Sequence, residues 1–373
     1  MKIGKVPENV LKRSVLRQIQ TKREEVVRGA GIGEDCAFFS FGSRVVMTCM
    51  QTAAVRTEGL DFSKEQEAVC IGQLIQRCAN NLAAAGAEPV GVMIALTLPP
   101  DTEEAKLKAL MTEASACCGE LDIQIAGGQT CVSSAVRQVV AAVTGYGRPF
   151  EAEACNGESD AREGNDSLGR KAGDSERSSR SERRSGKKVH AGQDIVISKW
   201  IGLEGTAMLA KRHKNKLLAR YPAYFVEEAA GFDRFLSVIP EAATAVKSGV
   251  CMMHDASEGG IFGALWELAE RAGVGLTIDL KKIPLRQETV EVCECCEVNP
   301  YELLSGGALV MVAEDGPGLL EALKAENISA AVVGKVTDSR DRIIKNGEEV
   351  RFLERPKNDE VYRQTEGSAA FKY

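Results

Sequence analysis

Residues 29–39 read GAGIGEDCAFF, three glycines at alternate positions followed by Glu34, Asp35 and a small apolar run. Glycine lifts the steric bar on tight and left-handed backbone, and neighbouring carboxylates suit a hard cation. Two readings stand. The stretch is a loop whose amides cradle a phosphate beside a metal-holding acid, or it is a tight turn between two strands that needs no ligand. In both, the apolar run and the following RVVMTCM (44–50) read as strands, so the stretch opens a sheet.

Before it, Pro7 suits a first helical turn, and Val10, Leu11, Val15, Leu16 and Ile19 recur on one helical face. After it, a long helix is predicted from an N-cap at Ser63 through Ala68, Ile71, Leu74, Ile75, Cys78 and Leu82 to Gly86, with Pro89 just beyond. PVGVMIALTL (89–98) is too apolar for a one-sided strand, which predicts cover on both faces. A helix from Thr102 to Leu121 and two strands, IQIAGG and QVVAAVTGYG, complete an N-terminal α/β domain over 1–150.

Residues 151–188 hold one large aliphatic side chain, Leu168, among mixed charges, serines and glycines. Such a segment buries too little to offset its ordering entropy and is read as a disordered insertion. From 189 to 355 the grammar of strand, glycine turn and helix returns in DIVISKWIGLEGTAMLA, in VCMMHDASEGGIFGALWELAERAGVGLTIDL and in GALVMVAEDGPGLLEALKAENISAAVVGKV. Ser257 reads as an N-cap before Gly259 and Gly260. Residues 356–373 form a polar tail. The fold class is therefore α/β (α+β) in two domains.

The net charge of −6 and pI near 5.5 argue against a nucleic-acid binder. No apolar stretch approaches the roughly 20 residues that span a bilayer, and the N-terminus lacks an apolar signal core, so a cytoplasmic protein is expected. The twelve cysteines are scattered through helices and strands, and reduced thiols are expected; Cys293, Cys295 and Cys296 lack the fourth ligand that zinc wants. Trp200 and Trp266 fall in apolar-periodic contexts and are expected in the core. His254, next to Asp255, is the histidine to test as a phosphate contact or a partner of that acid.

Three glycine turns, GIGED (31–35), GLEGT (202–206) and DASEGG (255–260), feed helices or strands, and none has phosphate-loop or dinucleotide spacing. Their order is the informative feature. GIGEDCA, NNLAAAGAEPVGV, GGQT, VTGYG, HDASEGG and LLSGGALV in succession resemble the aminoimidazole-ribonucleotide (AIR) synthetase superfamily, PurM-like proteins that include thiamine-phosphate kinase, selenophosphate synthetase and the hydrogenase maturation factor HypE. The chain is most similar to AIR synthase-related proteins allied to HypE.

That resemblance implies a homodimer whose N-terminal sheets form a barrel-like core. It also implies ATP in the groove between domains and dimer partner, and Mg2+ on acidic side chains. Carried over, Gly31, Gly33 and Asp35 match the glycine-acid loop, with Asp35 as metal ligand. Asn81 and Gln129 fall at nucleotide-side positions, and Asp255, Ser257, Gly259 and Gly260 match the second anion turn. Where relatives carry acids, Gln51, Asn81 (after Asn80), Gln129 and Cys131 stand here, which predicts a weakened magnesium site, because a neutral amide is a poorer ligand. HypE carries its modified group on a C-terminal cysteine, and this chain ends in Tyr373. Two functional readings follow: an ATP-dependent enzyme acting on a small carboxamide or phosphorylated metabolite, or a non-catalytic dimeric scaffold or nucleotide sensor.

Overall fold

The computed structural model describes residues 5–56, 68–150, 188–355 and 358–363. The insertion expected at 151–188, except Lys188, and the predicted N-cap Ser63 lie outside the described residues. No helix among the described residues is long and apolar enough to cross a membrane.

The first sheet is built from β1 (Val26–Arg28), β2 (Cys36–Phe41), β3 (Arg44–Arg56), β4 (Val69–Cys70), β5 (Ala87–Leu98), β6 (Gln124–Val132) and β7 (Val140–Pro149). The order is β1-β2-β3-β7-β5-β6, with β4 beside β3; only β3–β4 and β5–β6 are parallel. α1 (Glu8–Ser14) precedes it, and α2 (Ile71–Ala84) and α3 (Glu104–Glu120) cover one face. Their apolar stripes, Leu74, Ile75, Cys78 and Leu82 with Leu110 and Ala114, bury against Val92, Ile94, Leu96, Ala141 and Val143. α2 starts later than periodicity predicts, because Val69 and Cys70 pair with Val55 and Arg56 of β3; the Cys70 N–H donates to Gln73 Oε1 at the helix start. α1 stops at Ser14 with no buried residue, and Val15 and Ile19 are exposed, so the expected apolar face has no core to enter.

Among the described residues the predicted two-sided cover of β5 is not seen. Val90 and Met93 are exposed, as are Met50 on β3 and Tyr146 on β7, so that among these residues one face of the sheet is open and apolar. Among the described residues β1 and β6 stand at the two ends of the strand order.

The second sheet runs β14-β13-β10-β12-β8-β11-β9, from β8 (Asp194–Ser198), β9 (Met252–Ala256), β10 (Gly275–Asp279), β11 (Ala308–Ala313), β12 (Ala330–Thr337), β13 (Arg342–Asn346) and β14 (Glu349–Phe352). Its central strands are buried on both faces, as in β11, where all six residues are buried. α4 (Leu203–Arg212), α5 (Ile239–Lys247), α6 (Gly260–Ala272), α7 (Gln287–Cys296) and α8 (Gly316–Ala325) are its main helices. Ile261, Leu265 and Leu268 of α6 pack on Ile197, Val310 and Ile278, while Ala242, Ala245, Leu319 and Leu323 pack on Val196, Leu309 and Met311.

The two domains meet through the end of α2. Ala83 and Ala84 join the second domain's cluster with Met253 and Ala242, small side chains that let the helix approach closely. Asn80 fixes the junction: its Nδ2 donates to Leu236 O (2.7 Å), and its Oδ1 accepts from Val238 N (3.1 Å). This contact sets where the first domain's turns stand relative to β9.

Candidate functional site

Gly31 and Glu34 form an antiparallel bridge, so GIGED is a tight turn leading into β2. Gly33 has φ +72°, and a Cβ there would lie 2.8 Å from the Glu267 carbonyl of α6, so only glycine lets the turn dock on the second domain. Glu34 turns away to Arg271 (3.0 Å) and Arg28 (3.8 Å). Asp35 is left facing the second domain with a side chain 35% exposed.

There it meets β9. One ligand atom each from Asp35, His254 and Asp255 lies within 4.8 Å of the others, a cluster that draws on both domains. His254 Nδ1 stands 3.5 Å from Asp35 Oδ2, and its Nε2 makes a 3.0 Å hydrogen bond with Glu267 Oε2. With its nitrogen facing Asp255, the orientation its neighbours require, Asn81 donates to both Asp255 oxygens (3.1 and 3.2 Å) and accepts from Gln51 Nε2 (2.7 Å). Two amides found at expected acid positions are thus arms of one relay that ends on a carboxylate.

The N-terminal segment adds a cation. Lys5 Nζ donates to Glu267 (3.0 and 3.3 Å), and its backbone N–H donates to Glu258 Oε1 (2.9 Å). Burial alone would lower the Lys5 ammonium, but Glu267, Asp35 and Glu258 outweigh it and raise it. Burial also disfavours charge on Asp255, and the nearby Asp35 adds to the effect, so its carboxyl rises to about 6 despite His254 and Lys5. Glu267 goes the other way: burial opposes ionisation, yet the His254 hydrogen bond and Lys5 pull its carboxyl down to about 2. For His254 the desolvation that lowers it is outweighed by the Glu267 hydrogen bond and by Asp35, so it is raised.

The second glycine turn is arranged differently from its sequence reading. Ser257 is not the cap of α6; its carbonyl accepts from Gly260 and Ser305 N–H. The N-cap is Gly259 (φ +92°), whose N–H donates to Asp359 Oδ2 at 2.7 Å. Asp359 also accepts from Leu304 N–H (3.1 Å) and Val361 N–H (2.9 Å) and is 2% exposed. Gly260 has φ +64°, and a Cβ there would fall 2.6 Å from Tyr301 O, so it serves close packing.

The third turn is no part of the cleft. Gly202 N–H donates to Ser305 Oγ, Gly205 packs on Leu303, and Thr206 bonds Thr289, all buried. Glu204 pairs with Arg77 of α2 (2.7 Å). Gln129 is exposed on the edge strand β6, with β3, β7 and β5 between it and β2, and the fold does not bring it to Asp35. Cys293, Cys295 and Cys296 are buried, and no described cysteine forms a disulfide. Trp266 is half-buried rather than core: it lines the cleft, with its Nε1 donating to Glu8 (3.4 Å) and the Arg342 guanidinium 3.8 Å above its ring. Trp200 is likewise half-buried, edge-on to Phe235.

Around Asp35 opens a cavity of about 760 Å³, within the usual size of a small-molecule site. Lys5, Gly31, Gly33, Gly259 and Trp266 line it. Seven carboxylate residues line it against three Lys and Arg side chains, so a polyphosphate entering without a cation would meet net repulsion. Lys5, Glu267 and Asp359 were not singled out from sequence. They lie 262 and 100 residues from their partners Glu267 and Gly259, and no local pattern marks them.

Family models described as AIR synthase related protein, N-terminal domain, and AIR synthase related protein, C-terminal domain, match residues 33–148 and 190–346. A putative hydrogenase expression/formation protein of Methanocaldococcus jannaschii is 22% identical over 349 residues, 91% of this chain and 90% of that protein. Among solved structures, the hydrogenase maturation protein HypE in complex with ATP is 16% identical, with a TM-score of 0.62 over 95% of both chains. A ThiL protein complexed with AMPPCP and TMP is 17% identical, with a TM-score of 0.62 over 95% of this chain and 98% of that one. At these identities the structural likeness establishes the fold.

Proposed function

Since this chain belongs to the AIR synthase-related family, we propose that it binds ATP with a divalent cation in the cleft between its domains and activates an oxygen of a small substrate there. One observation carries the reading: Asp35 of the first domain and Asp255 of the second bring carboxylate oxygens within 4.8 Å of each other, and Asp35 also lines a cavity of about 760 Å³. Two carboxylates with an imidazole beside them fit a divalent cation. Bound there, the cation would neutralise phosphate charge, which the acidic lining otherwise repels. The chain's own residues have separate tasks. Asn81 and Gln51 orient Asp255, Gly33 seats the Asp35 turn on α6, and Lys5 offsets Glu267. The nucleotide complexes of HypE and ThiL, which share the fold, support the choice of ligand.

The open face of the first sheet, with Met50, Met93 and Tyr146 exposed, supports pairing with a second copy. In such a dimer Gln129 would serve the partner's cleft. The non-catalytic reading keeps one point in its favour, the amides of Gln51 and Asn81 at positions expected to hold acids. Calorimetric titration of ATP with and without Mg2+ decides. Saturable binding that needs the cation and falls at least 10-fold in Asp35→Asn supports the nucleotide and cation site; cation-independent binding, or none, overturns it.

A further inference from the structure

We infer that the cation of this cleft takes a nitrogen ligand, Nδ1 of His254, beside Asp35 and Asp255, so that the site selects a transition-metal ion such as Mn2+ or Zn2+ over Mg2+. The inference rests on the reading of the cleft as a cation site and adds the identity of the ion.

The geometry comes from three observations. The His254 side chain is only 5% exposed, and its Nδ1 faces Asp35 Oδ2 at 3.5 Å, an ion-pair distance longer than a hydrogen bond, with Asp255 in the same cluster. Its other nitrogen is engaged with Glu267 Oε2 at 3.0 Å. A histidine that binds a metal through one nitrogen commonly donates the other N–H to a carboxylate, which fixes ring and tautomer. Glu267 fills that place and is itself held by Lys5 Nζ at 3.0 Å. Asp255 is steadied in the same way by the Asn81 amide. Each cluster member thus has a supporting partner or a docked turn behind it.

Mg2+ is held almost entirely by oxygens, whereas an imidazole nitrogen favours first-row transition ions over it, Mn2+ least and Zn2+ more strongly. Three protein ligands also leave positions for phosphate or water oxygens.

The test uses the metal-free full chain and Mn2+, followed by electron paramagnetic resonance with electron-spin-echo detection of 14N. The inference predicts the modulation of a directly bound imidazole nitrogen, persisting when His190 and His213 are both replaced by Gln and lost in His254→Gln. Mg2+ should need at least a 100-fold excess to displace Mn2+. Glu267→Gln should weaken Mn2+ about 10-fold while keeping the nitrogen signal, as a positioning residue would. If His254 is instead a charged bridge between Asp35 and Glu267, Mn2+ binds without nitrogen coupling and exchanges evenly with Mg2+. That result overturns this inference and leaves the nucleotide site intact. Failure of both Mn2+ and ATP to bind removes the cleft reading and this inference with it.

Discussion

Gly31–Asp35 and Ser257–Gly260 are both short glycine turns beside an acid, and they present different surfaces to the cleft. In the first, the acid is outward: Asp35 is 35% exposed and lines the cavity. In the second, the cap amide is buried and already taken, because Gly259 N–H is bonded to Asp359, a carboxylate from the far end of the chain. A glycine turn is thus an offer of backbone donors, and what accepts the offer is decided by distant residues.

The largest expected effect separates the two turns by stability. Asp359→Ala leaves three buried N–H groups without acceptors and should cost on the order of 3 kcal/mol, read as a lower melting temperature. Asp35→Asn should change stability by less than about 0.5 kcal/mol while abolishing cation-dependent nucleotide binding. Equal melting of the two variants would erase the distinction.

Next comes the glycine that docks the first turn. Gly33→Ala forces a side chain into left-handed backbone and against the Glu267 carbonyl, and should cost about 2 kcal/mol. Gly31→Ala meets only the flexible Glu34 Cγ at 3.1 Å and should cost less than half as much. Denaturant midpoints of the pair check the order.

The adjacent asparagines extend the comparison. Asn80→Ala strips Leu236 O and Val238 N of their partners and should destabilise the domain junction by about 1–2 kcal/mol. Asn81→Ala should act mainly on cation binding, by freeing Asp255. If both act alike, the division between brace and site is wrong.

The two regions also titrate with opposite sign. Burial raises the Asp359 carboxyl to about 7 against an ordinary 3.8, in spite of its three N–H donors. Folded protein then keeps a proton that unfolded chain releases, so this contribution weakens stability as pH rises from about 4 to 7. Glu267, held at about 2 below its ordinary 4.5, contributes stability that is lost as pH falls from about 4.5 to 2. Asp359→Asn should flatten the first slope and leave the second, as followed by melting across pH.

These contrasts mark how far the chain could be read in advance. GIGED was legible as a turn because three glycines within five residues permit tight and left-handed backbone, while Glu34 turning to Arg271 and Asp35 facing the cleft depend on the second domain. The two domains were legible from repeated strand and helix periods. The open face of β5 was not, because Val90 and Met93 are as apolar as buried residues, and only the one-sided placement of α2 and α3 shows which face lacks cover. Asn80 and Asn81 are about 100° apart on a helix, and the position of the second domain alone decides which one braces and which one serves the site. GLEGT and DASEGG look alike in sequence, yet Ser305, Leu304 and Asp359 take up their backbone donors from remote positions. His254, set aside as one residue to test, gains its meaning from Glu267, one helix away.

Crystals grown with Mn2+ and a non-hydrolysable ATP analogue test the account most directly, through the anomalous signal of the metal. The account predicts one peak between Asp35 and Asp255 with the triphosphate reaching it from the cavity. A peak elsewhere, or a nucleotide bound away from the Asp35 turn, would contradict it.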